Sequence, residues 1–305
     1  MRTHARRTIA GAAIVAFALI AAACGSGDDG GAKEGPTIKI GSAGFSEAAL
    51  VAEIYAQALE SDGYQVERKL NTGSREIYAP ALESGELDLI PEYTGSALTF
   101  LGGKSTPDSE ETHAALRVAW EPAGIEVLDY APAQDKNGFV VTQATADELD
   151  VAKVSDLVAY NGTLVLGGPP ECPEREFCLK GLESVYGLDF AEFRPLDAGG
   201  PITVAALQGD EIQVGTMFTS SASIYANGFV LLEDDKGLQP AENLVPAVRS
   251  EIIDAYGDDF KGTLNTVSAK LTTAELTSLN KFVEVDGQDP ETVAAEWLKA
   301  IGVTE

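Results

Sequence analysis

From residue 37 onward, short apolar runs of β-type composition alternate with stretches of helical periodicity. Thr37-Ile-Lys-Ile-Gly-Ser42 predicts a first strand. Ser46 then N-caps a helix over 47–61 with Leu50, Ile54, Ala58 and Leu59 on one face, and Asp62-Gly63 stops it. The next strand is expected over 65–70, a helix from Ser74 to Gly85, and strands over 87–90 and 125–130. The pattern restarts at Phe139-Val-Val-Thr142 with a strand, then a helix from Thr145, a capped turn over 153–157 and a strand over 163–166. Strands follow over 212–217 and 229–232. Two helix starts close the chain, at Leu271-Thr-Thr-Ala-Glu-Leu276 and at Asp289-Pro290, where a cap residue precedes proline at the first helical position. Such alternation predicts α/β layers around largely parallel sheets. It fits two lobes with a ligand cleft between them and equally a single doubly wound domain.

The first two dozen residues read differently. Arg2, Arg6 and Arg7 precede an apolar stretch over 9–20 that is too short for a permanent bilayer span, and Ala21-Ala-Ala-Cys24 follows. This is the layout of an export signal over 1–23. Its last four residues resemble a bacterial lipobox, which implies a diacylglyceryl anchor on Cys24 and a location on the outer face of the cell membrane. The alternative is an ordinary secretory signal cut after Ala23, leaving Cys24 as a free thiol. Residues 24–36 are small and polar with no apolar anchor, and read as a flexible tether.

All 48 acidic residues lie after Cys24, whereas three of the 21 basic ones precede it; the remainder, 18 against 48, carries a formal net charge of −30. Nucleic acid and anionic membrane surfaces are poor partners for such a chain, and a cationic ligand is a better one. The same charge also serves solubility. Cys172 and Cys178, separated by five residues, read as a disulfide in an oxidising compartment. Beyond Cys24 the chain has a single histidine, His113, which disfavours a metal site and a Ser-His or Cys-His hydrolase. Gly167-Gly-Pro-Pro170 lacks the Lys-Ser or Lys-Thr of a phosphate-binding loop, so no cofactor is expected.

Several strings, in order, resemble the substrate-binding subunits of glycine betaine, carnitine and choline (osmoprotectant) ABC importers. They are Ile40-Gly-Ser-Ala-Gly-Phe-Ser-Glu47, Gly73-Ser-Arg-Glu76, Ala81-Leu-Glu-Ser-Gly-Glu-Leu-Asp88 and, most specific, Pro91-Glu-Tyr-Thr-Gly95. Asn137-Gly-Phe139, Pro170-Glu-Cys-Pro-Glu-Arg175, Phe218-Thr-Ser220, Leu232-Glu-Asp-Asp-Lys-Gly237 and the segment from Ala269 to Trp297-Leu follow. The resemblance covers about residues 37–301. It implies a two-lobed type II periplasmic-binding-protein fold whose lobes close on ligand and are joined by two crossovers, near Val140 and Asn243. Lobe one would comprise 37–140 and 244–305, and lobe two 141–243. It further implies a monomeric binding protein, not an enzyme, that captures a small quaternary-amine or zwitterionic solute and delivers it to an ABC permease.

A quaternary ammonium has no N–H to donate, so aromatic faces must hold it. The resemblance places Tyr93, Phe139 and Phe218 at such walls, with Phe45 and Thr219 beside them in their strings. A fourth aromatic position of relatives corresponds to Glu242, a lysine of some relatives to Ala43, and an aspartate of others to Asn137. Arg175 matches a position that contacts a ligand carboxylate, for which a guanidinium fork is suited. Arg75, beside Gly73-Ser74 at a helix start, is a second candidate; with both arginines in the cleft, zwitterions should be preferred over choline. Glu92 supports the Tyr93 loop, and Glu233-Asp234-Asp235 reads as a solvated turn. A receptor for another small ligand, such as an aromatic compound, and a periplasmic enzyme on the same fold are the alternatives; the latter lacks a paired acid or base for Glu171 or Glu242.

Overall fold

The computed structural model describes residues 32–304. The expected signal segment, Cys24 and most of the tether lie outside the described residues. Residues 33–36, expected in the tether, are docked instead: the Lys33 N–H donates to the Gly63 carbonyl at 2.8 Å, its ammonium to the Tyr64 hydroxyl, and the Tyr256 hydroxyl to the Pro36 carbonyl. Among the described residues no helix is long and apolar enough to cross a membrane.

Among the described residues ten strands form two five-stranded sheets. The first holds β1 (Ile38–Ala43), β2 (Val66–Gly73), β3 (Leu89–Tyr93), β4 (Ile125–Val127) and β10 (Leu244–Arg249), in the order β2-β1-β3-β10-β4. The second holds β5 (Asn137–Thr142), β6 (Val165–Gly168), β7 (Glu192–Pro195), β8 (Val214–Phe218) and β9 (Phe229–Leu231), in the order β7-β6-β8-β5-β9. In each sheet the first three strands are parallel, and one strand returning from the other lobe inserts antiparallel: β10 between β3 and β4, β5 between β8 and β9. The expected largely parallel sheet thus acquires an antiparallel fourth strand in each lobe.

Helices cover both faces of each sheet, so the sheet residues Ile38, Ile40, Leu89 and Val248 are fully buried under α1 (Ser46–Ser61) and the C-terminal helices. The opposite face packs on α2 (Arg75–Ser84), α3 (Thr94–Phe100) and α4 (Ser109–Trp120), through Leu82, Leu98, Leu116 and Trp120. At about 25 cal/mol per Å² of apolar surface removed from water, such two-sided burial is the main stabilising contribution in each lobe.

The chain leaves the first sheet after β4 and enters the second at Asn137, so the expected boundary at Val140 falls inside β5. The two crossing segments run beside each other as an antiparallel pair. Ala131 N–H donates to the Leu244 carbonyl, Leu244 N–H to Ala133, and Asp135 N–H to Glu242 at 3.0 Å. Gln134 and Asn243 form a β-bridge between them. This short ribbon, called the hinge below for its place between the lobes, puts Asp135 and Glu242 at the floor of the cleft.

Candidate functional site

A cavity of about 560 Å³ lies between the lobes, within the range of small-molecule sites. Strand ends position its walls. β1 ends at Ala43, and Gly44-Phe45 forms the turn into α1. Phe45 takes the cap position without a side-chain cap bond; Ser46, expected as the cap, is the first helical residue. β2 ends at Gly73, whose φ of +125° a side chain would strain, and the chain enters α2 at Arg75. β3 ends at Tyr93. From lobe two, β8 ends at Phe218, and the loop after β6 contributes residues 169–172 and 174–178.

Three aromatic rings meet there. Phe45 lies with its centroid 4.8 Å from Phe218 across the cleft and 6.1 Å from Tyr93, all at tilted angles, and all three line the cavity. Phe139 does not. It is 2% exposed and packs in the lobe-two core with Leu166, Cys172 and Val214. Asn137 occupies the cleft edge, and two residues further along a strand is about 7 Å deeper on the same face. Tyr78 and Phe100 also line the cavity, and the sequence reading did not include them. Thr219 is not at the wall either; its hydroxyl accepts from Lys136 N–H at 2.9 Å and reaches Asp135 Oδ1 at 3.4 Å, bracing the hinge.

Both arginines border the cavity, each engaged with a carboxylate. Arg75 makes a bidentate pair with Glu92 at 2.7 and 2.8 Å. Glu92 also accepts from the Tyr78 hydroxyl and from Tyr93 N–H, which fixes the Tyr93 loop as expected from its position. Arg175 crosses the mouth of the cleft to Glu76 of α2 at 2.9 Å and lies over the Phe100 ring. The loop that carries it is closed by the Cys172–Cys178 disulfide, with S–S at 2.05 Å. Its Phe177 carbonyl accepts from Asn137 at 3.0 Å and from Gln239 at 2.9 Å, tying the loop to both hinge segments.

Buried carboxylates dominate the remainder. Glu47, 2% exposed in the first turn of α1, accepts from the Tyr93 hydroxyl at 2.6 Å, from Ser220 of lobe two at 2.5 Å and from Asn280 at 2.5 Å. Burial pushes its carboxyl above the usual range against these three hydrogen bonds. Burial, with the Glu47 charge nearby, raises Asp135 well above its ordinary value. Glu242 accepts from Gly95 N–H, Ser96 N–H and the Ser96 hydroxyl, and burial pushes it up to about 7. Gly95 permits this approach, since a Cβ there would sit 2.6 Å from the Ala241 carbonyl. Glu47 and Asp135 were not singled out in the sequence; an acidic residue at a helix start or in a loop carries no local sign of burial. Among the described residues no cluster suited to a metal ion occurs, and His113 Nε2 donates to the Leu128 carbonyl at 2.7 Å, remote from the cleft.

Residues 36–300 match the family model of the substrate-binding domain of ABC-type glycine betaine transport systems. A glycine betaine-binding protein of Escherichia coli K12, YehZ, is 30% identical over 282 residues, covering 88% of this chain and 92% of the relative. A carnitine transport binding protein of Listeria monocytogenes serotype 1/2a is 28% identical, with 86% of each chain covered. A crystal structure described as a glycine betaine/carnitine/choline ABC transporter superposes with a TM-score of 0.70 at 25% identity, covering 88% of this chain and all of the other.

Proposed function

The chain belongs to the substrate-binding domain family of ABC-type glycine betaine transport systems, and from that premise we propose that its interlobe cleft captures a small quaternary-amine solute for delivery to an ABC permease. The observation that carries the reading is the convergence of Phe45, Tyr93 and Phe218 from two lobes on one cavity. Aromatic faces attract a poorly hydrated cation through their quadrupole, each contributing roughly 0.5–1 kcal/mol when exposed and about 2 kcal/mol when dry. Hydrogen bonding cannot hold such a head group, so this wall is the chemistry that the ligand requires. Asn137, Arg75 and Arg175 orient the rings and the cleft edge around it. The protein acts as a monomer by capture and lobe closure without chemistry on the solute, at the extracytoplasmic face of the membrane, held there by a lipid on Cys24.

Calorimetric titration with glycine betaine, carnitine, choline and a phenolic control tests the reading. Saturable binding of at least one quaternary amine, absent for the phenolic compound, is the expected result. No heat and no thermal shift with any quaternary amine at millimolar concentration overturns it. Mass spectrometry of the native N-terminus tests the anchor, and an unmodified Cys24 thiol excludes it.

A further inference from the structure

Asp135 and Glu242 stand opposite each other on the two hinge segments, the N–H of the first donating to the carbonyl of the second at 3.0 Å, and both side chains line the cavity. Glu242 has its carboxylate fully engaged by Gly95 and Ser96. Asp135 does not. Its Oδ1 takes the Ser220 N–H at 3.0 Å and the weaker Thr219 contact, whereas Oδ2 takes no hydrogen bond and no ion pair from the described residues, although the residue is only 5% exposed. That second oxygen is open to the cavity rather than sealed in the core, so a cation in the cleft can reach it.

The cations of the wall cannot supply it. Among the described residues seven carboxylates line the cavity against two arginines, Arg75 and Arg175, and both guanidiniums already bind carboxylates of lobe one. Arg75 is locked on Glu92, whose side chain is fully buried. A ligand carboxylate entering this cleft would have to displace Glu76 from Arg175 while standing among like charges. A ligand cation meets the opposite situation, with aromatic faces around it and the free oxygen of Asp135 at the floor.

We infer that the cleft selects quaternary ammonium solutes of net positive charge over zwitterions bearing their own carboxylate, and that Asp135 sets this preference. The inference rests on the quaternary-amine reading above and narrows it. It reverses the preference expected from two free arginines. Burial raises both hinge carboxyls, which fits a site whose negative charge is completed by a bound cation.

The test is calorimetry on the purified full-length chain at constant ionic strength with choline, glycine betaine and 3,3-dimethyl-1-butanol, the neutral carbon isostere of choline. Choline should bind at least about tenfold tighter than either of the others. Asp135→Asn keeps the acceptor for Ser220 N–H while removing the charge; it should cost choline about tenfold or more and leave glycine betaine within about threefold. Glycine betaine binding as tightly as choline, or Asp135→Asn weakening both equally, overturns the inference and leaves the quaternary-amine reading intact. If Asp135→Asn does not fold, the unaltered protein decides through the isostere, because equal affinity for choline and its neutral analogue overturns the role of the carboxylate. Binding of neither quaternary amine removes both readings together.

Discussion

The phenol of Tyr93 donates to Glu47 Oε1 at 2.6 Å, and the other oxygen of that carboxylate takes the Ser220 hydroxyl from the opposite lobe. A residue of the cavity wall is therefore two hydrogen bonds from the opposite lobe. Tyr93→Ala removes the ring and should weaken the best ligand at least about tenfold in calorimetric titration. Tyr93→Phe keeps the ring and removes only the donor, so a smaller loss is expected. Equal losses in the two variants would assign the effect to the hydrogen bond rather than to the aromatic face.

Glu47→Ala leaves Tyr93, Ser220 and Asn280 without their shared acceptor inside the protein. Leaving buried polar groups unpaired costs about 1–3 kcal/mol each, so a clear fall in the urea midpoint is expected. Glu47→Gln preserves an acceptor and should restore most of the stability. An Ala variant as stable as the parent would show that this junction contributes nothing to stability.

The hinge carboxyl of Glu242 gives a pH signature. Its folded value is raised to about 7 by burial, from an ordinary 4.5, so between these values the folded protein holds a proton that the unfolded chain has released. Stability should therefore fall as pH rises through that window, the reverse of a salt-bridged carboxylate. Asp135, Glu47 and Glu284 are shifted in the same direction, each chiefly by burial. Thermal unfolding from pH 5 to 8 should show a declining midpoint, and Glu242→Gln should flatten the decline. An unchanged slope in that variant would remove Glu242 as its source.

Glu76 holds Arg175 across the cleft mouth. Its side chain is 48% exposed, so the pair itself contributes little to stability. Glu76→Gln should leave the unfolding midpoint nearly unchanged while freeing a guanidinium for a ligand carboxylate. Glycine betaine affinity should then rise several-fold relative to choline. A constant ratio would mean that Arg175 does not reach the solute.

The Cys172–Cys178 bridge closes a short loop, for which chain-entropy reasoning gives a contribution of about 2–3 kcal/mol. Replacing both residues with serine should lower the thermal midpoint by several degrees. It should also weaken ligand binding, because the loop carries residues 169–172 and 174–178 of the cavity wall. Loss of stability with unaltered affinity would show that the wall holds its form without the bridge.

Much of the parallel half of each sheet was legible, because β1, β6 and β8 are short, largely apolar runs between turn signals. The antiparallel half was harder. β10 reads Leu-Val-Pro-Ala-Val-Arg, and its Pro246 pairs with Pro91 of β3, two residues that carry no ladder N–H and so argue against a central strand in sequence. The expected strand over 87–90 accordingly stops short of Tyr93, where β3 ends. Strings of residues located the cleft, including Phe45, Tyr93 and Phe218, yet they could not resolve depth along a strand. Asn137 and Phe139 share one face of β5, and only the packed lobe shows which reaches the cavity. Arg75 and Arg175 read as anion partners until their carboxylates, 17 and 99 residues away in sequence, are seen beside them. Long-range pairing of that kind leaves no local signature.

The place of β10 in the first sheet has a consequence for the order of assembly. A chain emerging N-terminus first presents β1 to β4 long before Leu244–Arg249, and β3 and β4 have no partner in common until that strand arrives. Lobe two has its five strands complete by Leu231, so it is the unit that finishes first although it begins second. Until Leu244–Arg249 arrives, the facing edges of β3 and β4 stay unpaired, the form in which β-rich intermediates associate wrongly. Truncation before residue 244 should accordingly leave a folded lobe two attached to an aggregation-prone partner, whereas the C-terminal helices alone cannot repair the gap.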